Sequence, residues 1–304
     1  MPNAAPLPSP RADAAGAGQS APSPVALDVS TFIGGYPFRH LPHPDPEVLV
    51  RVLAREGIAH AWVGHLPSAF HRDPAAGNAE LLQRLAPHHD VLIPAPIVRP
   101  DWPGWRDALQ QLADAGAGAI RAYPQLWGFA PGDERLTQLA TACGHAGLPL
   151  LLTVRFEDVR QRHALDVAGD LSAAHVRELV RELVRATVAS HAGRYAGPPS
   201  GPHAAQIVVT AGGRDFVEEV YWGLTPVERE AVLFDFSWIW GPPSDELATL
   251  FRTIGSARFV YGTMWPLRLT QGARANLALL PADVRDAPLG EARASIGRVG
   301  SARE

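Results

Sequence analysis

Eight short apolar segments recur along the chain, and each is followed by a loop and then by an amphipathic helical pattern. The segments span residues 25–30, 60–64, 91–98, 118–123, 148–156, 206–211, 231–237 and 258–263. Short strands that are apolar on both faces are typical of parallel sheets covered by helices. Eight such units within residues 25–281 predict an α/β fold with a single (β/α)8 TIM barrel. The Gly-rich fingerprint of dinucleotide-binding sheets does not follow the first strand, which argues against a doubly wound sheet.

The two ends of the chain differ in composition from this repeating part. Residues 1–24 are mainly Ala, Pro, Gly and Ser without periodicity, and we expect a disordered tail that cannot bury enough apolar surface to fold. Residues 282–304 are weakly patterned and are expected to form a polar C-terminal tail.

Composition excludes several classes of function. All 27 basic residues are arginine, which excludes Schiff-base catalysis and a metal bridge made from a modified lysine. The single cysteine, Cys143, excludes an internal disulfide and a Cys-based zinc cluster. A net charge of −4 gives no footprint for a nucleic acid or a membrane surface. Since neither a signal-peptide pattern nor a membrane-spanning apolar run is present, we expect a cytoplasmic protein.

Short motifs at the predicted strand ends resemble those of a known family. They are LDVSTFIGG, GAIRAYP, AGLPLLLTV, IVVTAGG, AVLFDFS and FVYGTMWP, at strands one, four, five, six, seven and eight. In this order, over residues 26–281, the chain resembles the amidohydrolase-related (amidohydrolase 2) family of metal-dependent hydrolases and decarboxylases, in the branch of aminocarboxymuconate-semialdehyde decarboxylase. The resemblance implies a TIM barrel that hydrolyses C–N or C–O bonds, or decarboxylates a small carboxylate, at a divalent metal.

Five positions have a chemical role in that family, and this chain has another residue type at each. Ser30 and Phe32 stand in place of the His-x-His of strand one, Thr153 and Thr210 in place of the histidines that end strands five and six, and Met264 in place of the aspartate after strand eight. A zinc site needs about three ligands from His, Asp, Glu or Cys, and hydroxyls and a thioether are poor substitutes. The resemblance therefore implies a degenerate metal site, and no cofactor is predicted.

Other polar side chains remain near the predicted strand ends. Arginine in a partly dry pocket binds carboxylates through two parallel hydrogen bonds. The residues predicted to bind a small carboxylate-like molecule are Arg121, Tyr123, Arg155, Asp158 and Trp265. The alternative is an internal ion pair of Arg121 or Arg155 with Asp235 that only stabilises the barrel.

Two residues are candidates for acid–base catalysis. His163 lies in the loop after strand five, where Asp158 could orient it, and Asp235 ends strand seven. The alternative for the loop is a solvated segment with weak local salt bridges.

Three functions remain open, and each predicts a different mouth of the barrel. Metal-independent binding or transformation of a small anion predicts a polar, ligand-sized mouth. An active hydrolase that uses zinc or another divalent metal with unconventional ligands predicts that histidines converge there, from among His40, His43, His65, His71 and His163. A non-catalytic structural partner of an active enzyme predicts a mouth filled by Phe32, Met264 and Trp265, with an exposed apolar patch elsewhere. A homo-oligomer is compatible with each function, and neither a nucleic acid nor a membrane is expected as a partner.

Overall fold

The computed structural model describes residues 24–190 and 206–292, the last four of the first range by backbone only. The described ranges leave out residues 1–23 of the predicted N-terminal tail and residues 293–304 of the predicted C-terminal tail. They also leave out two of the twelve histidines, His191 and His203. The described strands are β1 (Val25–Ile33), β2 (Ile58–His65), β3 (Leu92–Pro94), β4 (Ile120–Ala122), β5 (Leu150–Thr153), β6 (Ile207–Thr210), β7 (Val232–Asp235) and β8 (Phe259–Val260). Each strand falls within or overlaps one of the eight predicted segments.

Helices follow the strands along the chain. They are α1 (Pro46–Glu56), α2 (Ala75–Leu85), α3 (Trp105–Asp114), α4 (Pro124–Trp127), α5 (Glu134–His145), α6 (Ala173–Ser190), α7 (Arg214–Trp222), α8 (Pro226–Arg229), α9 (Glu246–Thr253), α10 (Thr270–Ala278) and α11 (Ala282–Arg285). Within the described part of the chain, no helix is long and apolar enough to cross a membrane.

Helix α1 shows how the local sequence determines where an element begins and ends. Pro46 lies in its first turn, where the missing N–H costs no hydrogen bond, and Gly57 ends the helix in the left-handed conformation at φ 64°. Asp45 holds the N-cap position, but its carboxylate makes no capping hydrogen bond. That carboxylate instead pairs with Arg84 at 2.9 Å, which ties α1 to α2.

The strands are parallel and form two sheets, with the orders β1-β2-β3 and β4-β5-β6-β7-β8. Backbone hydrogen bonds also join the two sheets at both edges. The Gly118 N–H donates to the Pro94 carbonyl at 2.9 Å, and the Val29 N–H donates to the Tyr261 carbonyl at 3.0 Å. The predicted parallel α/β fold is confirmed, and these contacts are consistent with a barrel.

A small buried cluster takes one residue from each of the eight strand segments. Its members are Val29, Trp62, Ala95, Ala119, Leu151, Val208, Leu233 and Val260. Eight successive strands can share one cluster if they surround a common axis, as the inward layers of a (β/α)8 barrel do. A larger apolar core lies between the strands and the helices and contains, on α6, the predicted stripe of Val176, Leu179, Val180 and Leu183.

Residues 282–292, which the sequence assigns to the polar tail, pack against the domain. They include helix α11, whose Val284 is buried in the main core. The Gly290 N–H donates to the Phe259 carbonyl at 2.7 Å, and the Ser256 hydroxyl donates to the Pro288 carbonyl at 2.7 Å. The folded part therefore extends past residue 281.

Candidate functional site

The mouth, the end of the domain at which the carboxyl ends of the strands lie, contains an apolar cluster. Its members are Phe32, Tyr36, Leu41, Leu66, Ala69, Ile97, Tyr123, Phe156, Ala211, Trp238, Met264 and Leu267. Phe32 and Met264 are fully buried, and Trp265 beside them is 8% exposed. The ring of Phe156 meets that of Phe32 edge-on, with centroids 6.0 Å apart. The centre of the mouth is therefore packed like a protein core.

The five positions at which the resemblance implies metal chemistry lie in and beside this cluster. All five side chains, Ser30, Phe32, Thr153, Thr210 and Met264, are fully buried. The Thr153 and Thr210 hydroxyls share a hydrogen bond of 3.0 Å, and the Met264 N–H donates to the Ser30 hydroxyl oxygen at 3.3 Å. Four of the five residues therefore form hydrogen bonds with one another, in two pairs.

The metal centre that the resemblance implies does not fit these side chains. Three hydroxyls, a phenyl ring and a thioether make a poor set of donors for zinc or a hard divalent ion. Among residues 24–190 and 206–292, no three His, Cys, Asp or Glu side chains are grouped so that they could hold a metal ion.

Two carboxyl groups are buried next to the five positions. Asp28 accepts from the Thr263 hydroxyl at 2.6 Å and from the Ser30 N–H at 3.0 Å. Asp235 accepts from the Ala211 N–H at 2.9 Å and from both the hydroxyl and the N–H of Ser237. Burial raises the pKa of Asp28 to about 6, partly offset by the Thr263 and Ser30 hydrogen bonds, and burial also raises the pKa of Asp235.

Only glycine fits at position 262, beside Asp235 and Ser30. A Cβ at this position would lie 2.4 Å from Asp235 Oδ2 and 2.6 Å from Ser30 Oγ. Any side chain at residue 262 would therefore displace the buried Asp235.

Arg121 is fully buried, and its charge is spread over backbone oxygens. Its Nη2 donates to the carbonyls of Val29 and Thr31, each at 3.3 Å, and its guanidinium lies over the Phe32 ring at 4.3 Å from the centroid. Burial lowers the pKa of Arg121, while Tyr123, Asp28 and Asp235 raise it from nearby. No described carboxylate lies within 4 Å of this guanidinium, so the expected ion pair with Asp235 is not formed.

Tyr123, predicted with Arg121 as a ligand contact, is also fully buried. Its ring packs on Phe156 at 5.3 Å and on Trp127 at 6.4 Å between centroids. Burial raises the pKa of the Tyr123 hydroxyl. Arg121 and Tyr123 thus contribute to the packed centre and are not at its surface.

The loop after β5 pairs its charges locally. Arg155 forms an ion pair with Asp170 at 2.8 Å and lies 5.4 Å from the centre of the Trp238 ring. Asp158 binds Arg160, with an Nε to Oδ1 distance of 2.8 Å. Arg155 is therefore in an ion pair, but its partner is Asp170 and not the Asp235 that the structural alternative named.

The histidines near the mouth do not come together. His163 is exposed and stacks on Phe38 at 5.6 Å, away from Asp158 and from the buried Asp235. His65 is buried and shares a hydrogen bond with the Ser68 hydroxyl at 2.7 Å. His40 and His43 are exposed on the loop between β1 and α1, and His71 is exposed on the loop between β2 and α2.

Sequence reasoning missed two residues at the edge of the mouth, Arg268 and Trp240, which lie next to Trp238. Arg268, in the turn after β8, lies 4.4 Å from the Trp238 ring centre and 5.3 Å from that of Trp240, in the turn after β7. Burial lowers the pKa of Arg268, while Asp235 and Asp158 raise it. The W-I-W triplet after strand seven was visible in the sequence, but nothing there indicated that an arginine from strand eight would reach it.

No family model matches the chain, and no curated protein matches it either. Solved structures do. An amidohydrolase II is 15% identical, with 87% of this chain and 97% of that chain covered and a TM-score of 0.58. The 5-carboxyvanillate decarboxylase of Sphingomonas paucimobilis is 12% identical, with 86% and 96% covered and a TM-score of 0.56.

A third similar structure is a probable 2-pyrone-4,6-dicarboxylic acid hydrolase of Acinetobacter baumannii with citric acid bound. It is 10% identical, with 83% of this chain and 90% of that chain covered and a TM-score of 0.53. The chain shares the fold of these decarboxylases and hydrolases. At this identity the likeness describes the fold and carries no statement about activity.

Proposed function

We propose that this chain is a single (β/α)8 barrel of amidohydrolase-related descent, from the decarboxylase-like branch, that has lost metal-dependent catalysis and functions by binding. The observation that carries the proposal is the packed centre of the mouth. Phe32 and Met264 are fully buried where the family would place metal ligands. A metal hydrolase needs an open coordination position for water or substrate, and a sealed apolar core leaves none.

The backbone at the strand ends supports this descent. Ala211, after β6, and Met264, after β8, have φ values of 60°, in the left-handed region that residues other than glycine rarely adopt. Such strained conformations cluster at active sites, where surrounding structure holds them in place. A packed core has no need of them, so we interpret them as inherited from a catalytic ancestor.

A non-catalytic role agrees with the surface as well. The loop between β5 and α6 exposes Val159, Leu165 and Val167, which are 71%, 74% and 88% exposed. Apolar side chains gathered on one loop at the mouth are typical of contact surfaces rather than of catalytic ones. The similar structure from Acinetobacter baumannii is named for a dicarboxylic acid and has citric acid bound, so a small carboxylate is the class of ligand to test first.

Metal content tests the proposal first. Untagged protein is purified without chelators, incubated with zinc, manganese and ferrous iron in turn, desalted and measured by inductively coupled plasma mass spectrometry. We expect far less than one equivalent of any metal, because the mouth has no adequate donor set. Protein treated with a chelator after the incubation is the control. Retention of close to one equivalent by the untreated protein, and its loss after the chelator, would overturn the proposal.

A further inference from the structure

One arginine at the edge of the mouth has no ion-pair partner within the described part of the chain. The guanidinium of Arg268 lies between the rings of Trp238 and Trp240, at 4.4 and 5.3 Å from their centroids. Trp238 is 7% exposed and Trp240 is 52% exposed, so the cluster runs from the packed centre to the solvent. Arg155 contacts the same Trp238 ring at 5.4 Å. These four residues, Arg155, Trp238, Trp240 and Arg268, are called the rim cluster.

The acidic residues around the rim cluster are already engaged. Asp170 pairs with Arg155 at 2.8 Å, and Asp158 pairs with Arg160 at 2.8 Å. Asp235 is buried and accepts hydrogen bonds from Ala211 and Ser237. Among the described residues no carboxylate lies within 4 Å of the Arg268 guanidinium. A partly buried cation without a counter-ion is unfavourable, because its lost hydration is not replaced.

The hydrogen-bonding groups left over in the rim cluster are donors. Trp238 Nε1 and Arg155 Nε are buried, and neither has a partner among the described residues. Indole and guanidinium groups donate and do not accept, so only an acceptor can satisfy them. Stacking on tryptophan uses the faces of the Arg268 guanidinium and leaves its N–H edges free for a planar, bidentate partner.

We propose that the rim cluster binds the carboxylate group of a small planar molecule, an assignment that rests on the proposed non-catalytic function. Arg268 receives the carboxylate edge-on, and the ring of Trp240, which is 52% exposed, supplies a flat apolar surface for the rest of the ligand. The indole N–H of Trp238 is buried and takes no part in the contact.

Calorimetric titration tests this assignment with benzoate, with citrate and with benzamide, which has the shape of benzoate without its charge. We expect the wild-type protein to bind benzoate and not benzamide. Arg268→Met keeps the apolar stem and removes the charge, and we expect it to weaken benzoate binding at least about tenfold, since charge-assisted bidentate contacts are the strong ones. Arg268→Lys keeps the charge without the fork and should fall between the two.

The matched control is Arg106→Met. Arg106 stacks on Trp105 at 4.2 Å on a distant helix, so the same substitution there removes an arginine–tryptophan contact without touching the mouth. Its benzoate affinity should equal that of the wild type. Equal affinity of Arg268→Met and wild type, equal binding of benzamide and benzoate, or binding of neither benzoate nor citrate to the folded protein would each overturn the assignment. None of those results bears on whether the protein binds a metal. Stoichiometric metal would overturn the proposed function, but it would not show whether the rim cluster binds a carboxylate.

Discussion

Phe32 stands where the family resemblance implies a metal-binding histidine, and its surroundings are those of a core residue. The ring is fully buried, meets Phe156 edge-on and lies beneath the guanidinium of Arg121 at 4.3 Å. A phenyl face attracts a cation, so Phe32 partly compensates the buried charge that no carboxylate neutralises. Phe32 thereby stabilises the mouth.

Phe32→Ala should therefore destabilise the protein strongly. Truncating a fully buried phenylalanine typically costs about 3–5 kcal/mol, and the lost contact with Arg121 adds to this cost. Urea denaturation followed by circular dichroism measures the change in the free energy of unfolding. Phe38→Ala is the matched control, since Phe38 belongs to the same aromatic group but is only partly buried. Equal costs for the two variants would mean that Phe32 faces space at the mouth and does not fill it.

The family resemblance pointed to five positions in the sequence, but the sequence did not show what surrounds them. Arg121 was predicted either to bind an anion or to pair with Asp235, and both ideas treat a charge as needing an opposite charge. The structure instead gives Arg121 the backbone carbonyls of Val29 and Thr31 and the ring of Phe32. Backbone oxygens have no signature in a sequence, so this kind of partner can be found only in three dimensions.

At the scale of elements, the sequence was most informative where the physics is local. The apolar segments predicted all eight strands, and Pro46 and Gly57 marked the two ends of α1. It was less informative where a distant partner competes for a side chain. Asp45 gives its carboxylate to Arg84 and not to the helix end. Asn78 is of a residue type that favours helix starts, but it lies inside α2, where its side chain bonds to the backbone of Ile97.

Strand β1 is linked to the segment after β8 through a buried carboxyl group. Asp28 Oδ1 accepts from the Ser30 and Thr263 N–H groups, and Oδ2 accepts from the Thr263 hydroxyl. Burial raises the pKa of Asp28 to about 6, and the nearby Asp235 raises it as well. The charged groups around it include Arg121, and the Tyr261 hydroxyl also lies close enough for its pKa to be raised by Asp28.

This link predicts a pH dependence of stability with a definite sign. The folded pKa of Asp28 lies above its unfolded value, so the protonated form favours folding. Protonated Asp28 adds roughly 2–3 kcal/mol to the free energy of unfolding. This contribution is fully present below about pH 4 and is lost as the pH rises through about 6. Asp28→Asn keeps the geometry, because the amide oxygen can accept the two N–H groups and the amide nitrogen can donate to Thr263 Oγ1.

We therefore expect the stability advantage of Asp28→Asn over the wild type to grow between pH 4 and pH 7 by that amount. Thermal and urea denaturation at several pH values measure the difference in stability between the variant and the wild type. Carboxylates whose pKa is lowered, such as Asp133 and Asp158, give the opposite pH trend, but they are present in both proteins and drop out of this difference. The exposed Asp90→Asn is the control and should show no such growth. A constant difference between Asp28→Asn and wild type across this range would contradict a buried protonated carboxyl at Asp28.

At the scale of the whole molecule, the fold and the site have separable requirements. One apolar residue from every strand segment builds the interior cluster, and none of those eight residues belongs to the five substituted positions. The barrel-like array can therefore persist while the mouth changes its chemistry. This separation explains why the sequence predicted the architecture from repeating patterns, whereas the state of the mouth depended on a few residues brought together from distant strands.

The same separation predicts that metal binding can be restored. The variant Ser30→His, Phe32→His, Thr153→His, Thr210→His and Met264→Asp replaces all five positions on one scaffold. Two pairs of these positions already meet, since the Thr153 and Thr210 hydroxyls are 3.0 Å apart and the Met264 N–H donates to the Ser30 hydroxyl at 3.3 Å. Aspartate at 264 is also favourable, because Asp tolerates the left-handed φ of 60° better than methionine does.

We expect this variant, expressed in zinc-supplemented medium, to retain about one zinc per chain after desalting, since the restored set exceeds the three ligands that a zinc site needs. Zinc should also raise its melting temperature, because an ion that binds only the folded state stabilises it. The control restores Thr153→His and Thr210→His alone, which supplies two ligands and should retain little zinc. A folded five-residue variant with no more zinc than this control would mean that the strand ends no longer hold the geometry of a metal centre, and the descent proposed for this chain would then rest on the fold alone.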